Sequence, residues 1–358
     1  MGDLQNQELK RWGWTPWEQR HWETMPDGCV PARVVARFPS SWRTVVPADG
    51  TEELVELTGA FQYRATAMEE YPVVGDWVAL SPDRRLIQLV LPRRTHLSRQ
   101  EAGSAVRGQV LAANIDIALL VFGLDGGRNF SAGLLERFLT VATAGGVTPV
   151  VVLNKADCAS PEYIEAIRHE VASIHGTVPV VVTSTRSGSG LDILQSLIPA
   201  GVTACCLGRS GVGKSSISNS LLGTETLRTA EVSRIQNRGR HTTSTSQLLM
   251  LREGMLIDTP GLRELQLWGS EDSLTGGFGE IEELASECRF RDCSHQGEPG
   301  CAVQEAVAQG LLPQQRLEHY LEQRDELAQT ALRSQLNANR FEKQKWKKIK
   351  TDARRFRR

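Results

Sequence analysis

The chain has 358 residues, 40% apolar and 23% charged, with 41 basic side chains against 42 acidic ones. That size and balance exclude a largely disordered protein and allow two or three domains with cores of their own. The net charge of −1 hides an asymmetry, because residues 341–358 carry nine Lys/Arg against Glu342 and Asp352, a local +7 that leaves −8 on residues 1–340.

No apolar run approaches the roughly 18 residues of a membrane span. The opening Met1-Gly-Asp-Leu-Gln-Asn6 is too polar for a secretory signal and fails the myristoylation pattern at Asn6. Seven cysteines in such a chain are expected as reduced thiols, and the location as cytoplasmic with no membrane contact.

Residues 1–27 are polar, with Trp12, Trp14, Trp17 and Trp22 at no clean period, and are expected to form a flexible arm. Residues 28–97 then read as five short strands, Ala32–Phe38, Trp42–Val46, Glu53–Leu57, Gly75–Leu80 and Leu86–Leu91, separated by turns such as Pro47–Gly50 and Ser81–Asp83. That rhythm predicts a small closed β-barrel of the OB type. Arg33, Arg37, Arg43, Arg64, Arg84 and Arg85, with Trp42, Phe61 and Tyr63, fit two readings: a track for a nucleic-acid backbone, or a solvated barrel with aromatics in its core.

From residue 107 to 270 apolar strands alternate with helical patterns. Strands are expected at Ile115–Phe122, Thr148–Leu153, Pro179–Thr183 and Thr203–Leu207, with a hairpin over Gln247–Ile257; Leu134–Ala142, Tyr163–Ile174 and Leu191–Ile198 supply covering helices. The fold class is multidomain α/β, with this part doubly wound around a parallel sheet. Residues 271–340 read as helices around a cysteine cluster, at Ile281–Glu287, Ala302–Gln309 and Pro313–Leu332, and residues 341–358 as a basic tail.

Chemistry enters at Gly208, Arg209, Ser210, Gly211, Val212, Gly213, Lys214 and Ser215, which fit the phosphate-loop pattern G-x-x-x-x-G-K-[ST] and run into a helix at Ser216. Glycines let backbone N–H groups converge on phosphate oxygens, and the following helix turns its positive end to the same anion. Lys214 would neutralise the β/γ oxygens, and Ser215 would offer a hydroxyl to Mg²⁺.

Asn154-Lys155-Ala156-Asp157, directly after a strand, resembles the N-K-x-D base reader of guanine-specific P-loop proteins. Asp157 would accept from the guanine N1–H and 2-amino group, Asn154 would meet the other edge, and Lys155 would lie along the ring. Ser184 in the loop Thr183–Gly190 would back the base. Asp258-Thr-Pro-Gly261 follows a strand, where such proteins place an aspartate near Mg²⁺ and a glycine that senses the γ-phosphate. Between these motifs, Gly239–Ser244 holds Thr243 as the expected Mg²⁺ ligand of a first switch. Leu262 stands where a water-orienting glutamine is common, so His241 is the nearest catalytic candidate, set against a solvated loop histidine.

The base reader precedes the phosphate loop, so the domain is expected to be circularly permuted. Downstream, Cys288, Cys293, His295 and Cys301 form the spacing C-x4-C-x-H-x5-C. Three thiolates and an imidazole suit one tetrahedral, structural Zn²⁺ per chain, with no open position for catalysis.

The permuted motif order, the barrel with Val74-Gly-Asp-Trp77, the Arg240-His-Thr-Thr243 stretch and the cysteine knuckle together resemble the bacterial small-subunit-dependent GTPase family called RsgA or YjeQ over residues 28–345. The resemblance implies a late assembly factor that binds GTP and GDP and the immature 30S subunit, with 16S rRNA as main partner, and leaves on hydrolysis. It also implies that His241 serves hydrolysis. A monomer is expected. An RNA-binding module with a vestigial nucleotide site and a small-molecule kinase are the competing readings. Intact Lys214, Ser215, Asp157 and Asp258 oppose the first, and the want of an acceptor-substrate domain opposes the second.

Overall fold

The computed structural model describes residues 3–65, 67–100, 108–126, 130–223, 246–259 and 275–325. Two helices, α1 (Asp3–Arg11) and α2 (Pro16–Trp22), lead into strands β1 (Val30–Arg37), β2 (Trp42–Val46) and β3 (Thr51–Leu57). Helix α3 (Gly59–Arg64) separates these from β4 (Trp77–Leu80) and β5 (Leu86–Val90). The five strands run in the order β1-β2-β3-β5-β4, and β4 returns to β1 to close the barrel. One half of β1 pairs with β4 and the other with β2, and a bulge between Val34 and Ala36 turns the corner. Alternation carries Ala32, Val34, Trp42, Val46, Val55, Val78, Leu80 and Ile87 inward.

The arm is not the flexible segment its composition suggests. Thr15 caps α2 in a reciprocal box with Glu18, and Pro16 opens the helix. Trp14 is buried with its ring perpendicular to that of Trp77 on β4 at 4.8 Å, and Leu9 and Leu91 complete the cluster. One buried indole of this kind contributes roughly 3 kcal/mol, enough to seat both helices on the barrel.

The barrel's basic and aromatic residues divide between the two readings. Trp42 and Phe61 are core residues, and Arg33 is 1% exposed, so none of the three can track a nucleic acid. Arg33 instead donates to Thr203 Oγ1 (2.9 Å), to the Asn114 carbonyl (3.1 Å) and to the Trp12 carbonyl, and lies over Trp77. Burial lowers its pKa to about 10, which leaves it charged at neutral pH. One arginine thereby ties the arm, the barrel and the following sheet together. Arg43, Arg64, Arg85 and Tyr63 face solvent.

Strands β6 (His96–Gln100) and β7 (Gly108–Ala113) pair antiparallel as a separate ribbon. The residues between the two expected domains, 97 to 107, therefore belong to and connect two partner strands.

The α/β domain holds β8 (Ile117–Gly123), β9 (Thr148–Asn154), β10 (Val180–Val182), β11 (Thr203–Leu207), β12 (Gln247–Met250) and β13 (Met255–Asp258). Their spatial order is β12-β13-β11-β8-β9-β10, all parallel except β12. Helices α4 (Ala132–Ala144), α5 (Pro161–Ile174), α6 (Leu191–Ser196) and α7 (Lys214–Leu222) cover it. Along β8, Ala118, Leu120 and Phe122 join the core with Leu135, Phe138 and Leu139 of α4, while Leu119 and Val121 face Leu194 of α6 and Ile217 and Leu221 of α7. Both faces are apolar, which is why the strand reads as a continuous hydrophobic run.

Helices α8 (Thr275–Ser286) and α9 (Ala302–Ala308) and the helical residues 314–325 form the C-terminal module. Arg316, 6% exposed, locks it to the sheet domain. Its guanidinium donates to Glu136 Oε1 on α4 (2.6 Å), to the Ile174 carbonyl ending α5 (3.0 Å) and to the Gly277 carbonyl in α8 (2.6 Å), and it lies over the Phe278 ring. Burial pushes the Glu136 carboxyl up, and His319 and Arg316 oppose that shift. Removing Arg316 would leave the buried Glu136 carboxyl with His319, 2.7 Å away, as its remaining partner, and should destabilise the module's attachment. Among the described residues no helix is long and apolar enough to cross a membrane.

Candidate functional site

The phosphate loop joins the C-terminal end of β11 to α7, and its glycines are demanded by space. A Cβ on Gly208 would lie 2.4 Å from the Val121 carbonyl oxygen; one on Gly213 would lie 2.2 Å from Asn154 Nδ2, with φ already at +101°. As the N-cap, Gly213 has no side chain to bond the first turn of α7, so those amides can turn to an anion. Lys214 Nζ donates to the carbonyls of Gly208 (2.7 Å) and Arg209 (2.6 Å), which folds the ammonium back over the loop. Arg209 and Ser210 are exposed at its rim, Val212 is buried beneath it, and Ser215 and Ser216 are half-buried in the first turn of α7.

The residues expected to read the base lie at and after the end of β9, two strands away in space, and side chains bridge the gap. Asn154 is fully buried. It donates from Nδ2 to the Val212 carbonyl (3.0 Å) and accepts at Oδ1 from Thr183 Oγ1 (3.1 Å), so it binds the phosphate loop, its own loop and the loop after β10 into one unit. Asp157 is exposed, and its Oδ1 accepts from the Ser184 hydroxyl at 2.6 Å. That bond holds the carboxyl below its ordinary pKa, which keeps it an acceptor for ring N–H donors. Lys155 sits in the left-handed region at φ +65° and pairs with Asp125, two residues past the end of β8.

Asp258 ends β13, and the parallel pairing of Cys205 with Ile257 sets it beside Cys206 at the mouth of the loop. Burial pushes the Cys206 thiol up to about 12, the nearby Asp258 carboxylate adding to the shift and Lys214 opposing it, so it stays a neutral thiol under the site. Ser215 in the first turn of α7 and Asp258 at the end of β13 are hard oxygen donors, the kind Mg²⁺ takes. His241, Thr243, Gly261 and Leu262 lie outside the described residues.

The second centre is the C-terminal cluster. The ligand atoms of Cys288, Cys293, His295 and Cys301 all lie within 4.8 Å of one another. A tetrahedral ion with bonds of about 2.3 Å to sulfur and 2.0–2.1 Å to nitrogen requires edges of about 3.8 Å between sulfurs and about 3.5 Å from sulfur to nitrogen. The cluster has Cys288–Cys301 at 3.9 Å and His295 Nδ1 at 3.6 and 3.4 Å from those two sulfurs. These separations are also far beyond the roughly 2.05 Å of a disulfide. Gln304 fastens the knuckle, donating from its side chain to the His295 carbonyl (2.6 Å) and from its backbone to Cys301 Sγ (3.4 Å). The four residues could hold a metal ion.

Elsewhere, a cavity of about 560 Å³ lies between the barrel and the β6–β7 ribbon, lined by Phe61, Arg64, Leu91, Arg93, His96 and Val110 among others, and none of its lining belongs to the nucleotide loops. No sequence motif marks Thr183, which bonds Asn154, or Asp125, which pairs with Lys155. Both stand at the ends of strands adjacent to β9, which is the signal that a parallel-sheet reading offers for finding them.

A phosphate loop on the central strand, a base-reading loop two strands along and a strand-end aspartate on the other side define a P-loop GTPase, with the base-reading strands moved ahead of the phosphate loop in the chain. The model of the family described as RsgA GTPase matches residues 90–268. The "Small ribosomal subunit biogenesis GTPase RsgA" of Syntrophotalea carbinolica is 41% identical over 364 residues, which span 98% of this chain and 98% of that protein. The chain belongs to the RsgA GTPase family.

Among solved structures, the crystal structure of YjeQ from Thermotoga maritima aligns with TM-score 0.64 and 28% identity, covering 84% of this chain and 99% of that one. That of YloQ, described as a circularly permuted GTPase, aligns with TM-score 0.60 at 24% identity over 84% of this chain and 96% of its own, and speaks for the fold alone.

Proposed function

We propose that this GTPase acts late in assembly of the small ribosomal subunit: it binds the immature 30S particle with GTP, hydrolyses it when the particle stimulates it, and departs with GDP. The observation that carries this reading is that the phosphate loop and the Asn154–Asp157 loop are bonded to each other in a fold that also carries a barrel with exposed arginines and a cluster able to hold a metal ion, in a chain whose full-length relative is named for small-subunit biogenesis. Arg43, Arg64, Arg85 and Tyr63 supply cations and a stacking ring for 16S rRNA, so binding should weaken steeply as salt rises. The chain works as a monomer in the cytoplasm. The vestigial-site alternative has little to support it, because Asn154, Asp157, Ser184 and Lys214 are held in place by specific bonds.

Bound Mg²⁺, held by Ser215, Asp258 and Thr243, would offset negative charge on the triphosphate oxygens. Asn154, Lys155 and Asp157 read guanine, with Ser184 behind it, and Gly261 senses the γ-phosphate. Leucine at position 262 cannot orient water, which leaves that task to His241, brought to the water when the chain docks on rRNA. His241→Ala should keep GTP affinity and 30S binding near wild type and lose most of the stimulated turnover, a difference of about two orders of magnitude. Stimulated turnover equal to wild type would assign water positioning to another group.

The knuckle holds one structural zinc. Elemental analysis after purification in chelator-free buffer should find one zinc per chain, and Cys293→Ala should lower that content and loosen the C-terminal module while GTP binding persists. Folded protein free of metal would refute the assignment.

A further inference from the structure

We propose that Asp125 is a positioning residue for the nucleotide, acting through Lys155. The inference rests on the reading of Lys155 as the side chain that lies along the base.

The parallel register of β8 and β9 ends with Gly123 opposite Asn154, and the Leu124 amide extends it by donating to the Asn154 carbonyl at 2.8 Å. The next residue on each chain is then Asp125 and Lys155, and their side chains meet with Nζ 2.5 Å from Oδ2. Lys155 also has φ +65°, a conformation that a residue with a Cβ keeps only where its surroundings impose it. Here they do: the Ala156 amide donates to the Thr183 carbonyl (3.0 Å), the Cys158 amide donates to the Lys155 carbonyl (2.9 Å), and Asp125 holds the far end of the side chain.

A lysine has four rotatable bonds and would otherwise sample many directions, so each nucleotide bound would have to order it first. Fixing the ammonium beforehand removes that cost from binding. The two side chains are 26% and 31% exposed, so the pair opens to the site and not to a core. An ion pair so placed contributes little to fold stability, which separates a role in positioning from a role in folding.

The test is a double-mutant cycle on GDP affinity, read by calorimetry, with Asp125→Ala, Lys155→Ala, the double variant and Asp125→Glu. Asp125→Ala should weaken GDP about tenfold and Lys155→Ala at least as much, and the double variant should be no weaker than Lys155→Ala alone. Asp125→Glu, which restores the charge, should recover part of the loss and keeps the experiment readable should the alanine variant fold poorly. Thermal midpoints should stay close to wild type. Losses that add in the double variant, or a wild-type affinity in Asp125→Ala beside a weakened Lys155→Ala, would overturn the proposal while sparing the role of Lys155. Unchanged affinity in Lys155→Ala would remove both.

Discussion

Replacing Lys214 with alanine is expected to abolish GTP hydrolysis, whether or not a ribosomal particle is present. The lysine stands at the first position of α7 with its ammonium bonded to the Gly208 and Arg209 carbonyls, so it is already aimed across the mouth of the phosphate loop. Phosphoryl transfer needs little covalent help from the protein and depends on charge placed where the γ-phosphate oxygens build it up. A single preorganised donor of this kind is worth about two to three orders of magnitude in rate, and a full positive charge in the same position is worth no less. Single-turnover release of phosphate measures it directly. A rate within about tenfold of wild type would show that the loop's backbone amides suffice.

The second large effect should come from Asp157→Asn, which is expected to weaken GTP by about a hundredfold or more and ATP hardly at all. The carboxylate accepts from Ser184 at one oxygen and stays ionised, leaving acceptor capacity for two donors on guanine that adenine lacks. An amide there presents one oxygen and one N–H group, so one guanine donor faces another donor. The Asn154 bonds to Val212 and Thr183 lie on the other side of the loop and should survive the change, which keeps the test local. Parallel calorimetric titrations with GTP and ATP decide it, and equal losses for the two nucleotides would take the base-reading role from Asp157.

The parts of this fold that read clearly in the sequence are those whose pattern is local. Alternation along β1 and β2, the two-sided apolar run of β8, and the spacing of the phosphate loop and of the four knuckle ligands each report on residues that act together within a short stretch. What escaped depends on partners far along the chain. Trp14 looks like one of four unpatterned tryptophans until Trp77 covers it. Arg33 looks like a surface cation of a strand until Thr203 and the Asn114 carbonyl surround it. Arg316 sits on a face that reads as an ordinary amphipathic helix, yet its partners are Glu136 and the end of α5, more than a hundred residues earlier. The same holds within the candidate site, where the motifs of Asn154, Asp157 and Lys214 read from the sequence while the bonds of Thr183 to Asn154 and of Asp125 to Lys155 did not.

The joined framework has a functional consequence. Arg33 couples the arm and barrel to β11, the strand that leads into the phosphate loop, and Arg316 couples the C-terminal module to α4 and α5. Under the proposed function, a particle gripping the barrel and the C-terminal module would hold the nucleotide domain through both of these arginines.

The proposed dependence on the small subunit is tested most directly by the steady-state GTPase rate of the purified chain with and without purified 30S subunits, at equal GTP and Mg²⁺. The expected result is slow turnover alone and a rise of about two orders of magnitude with the subunit present. A rate unchanged by subunits that demonstrably bind the chain would contradict hydrolysis triggered by the small subunit.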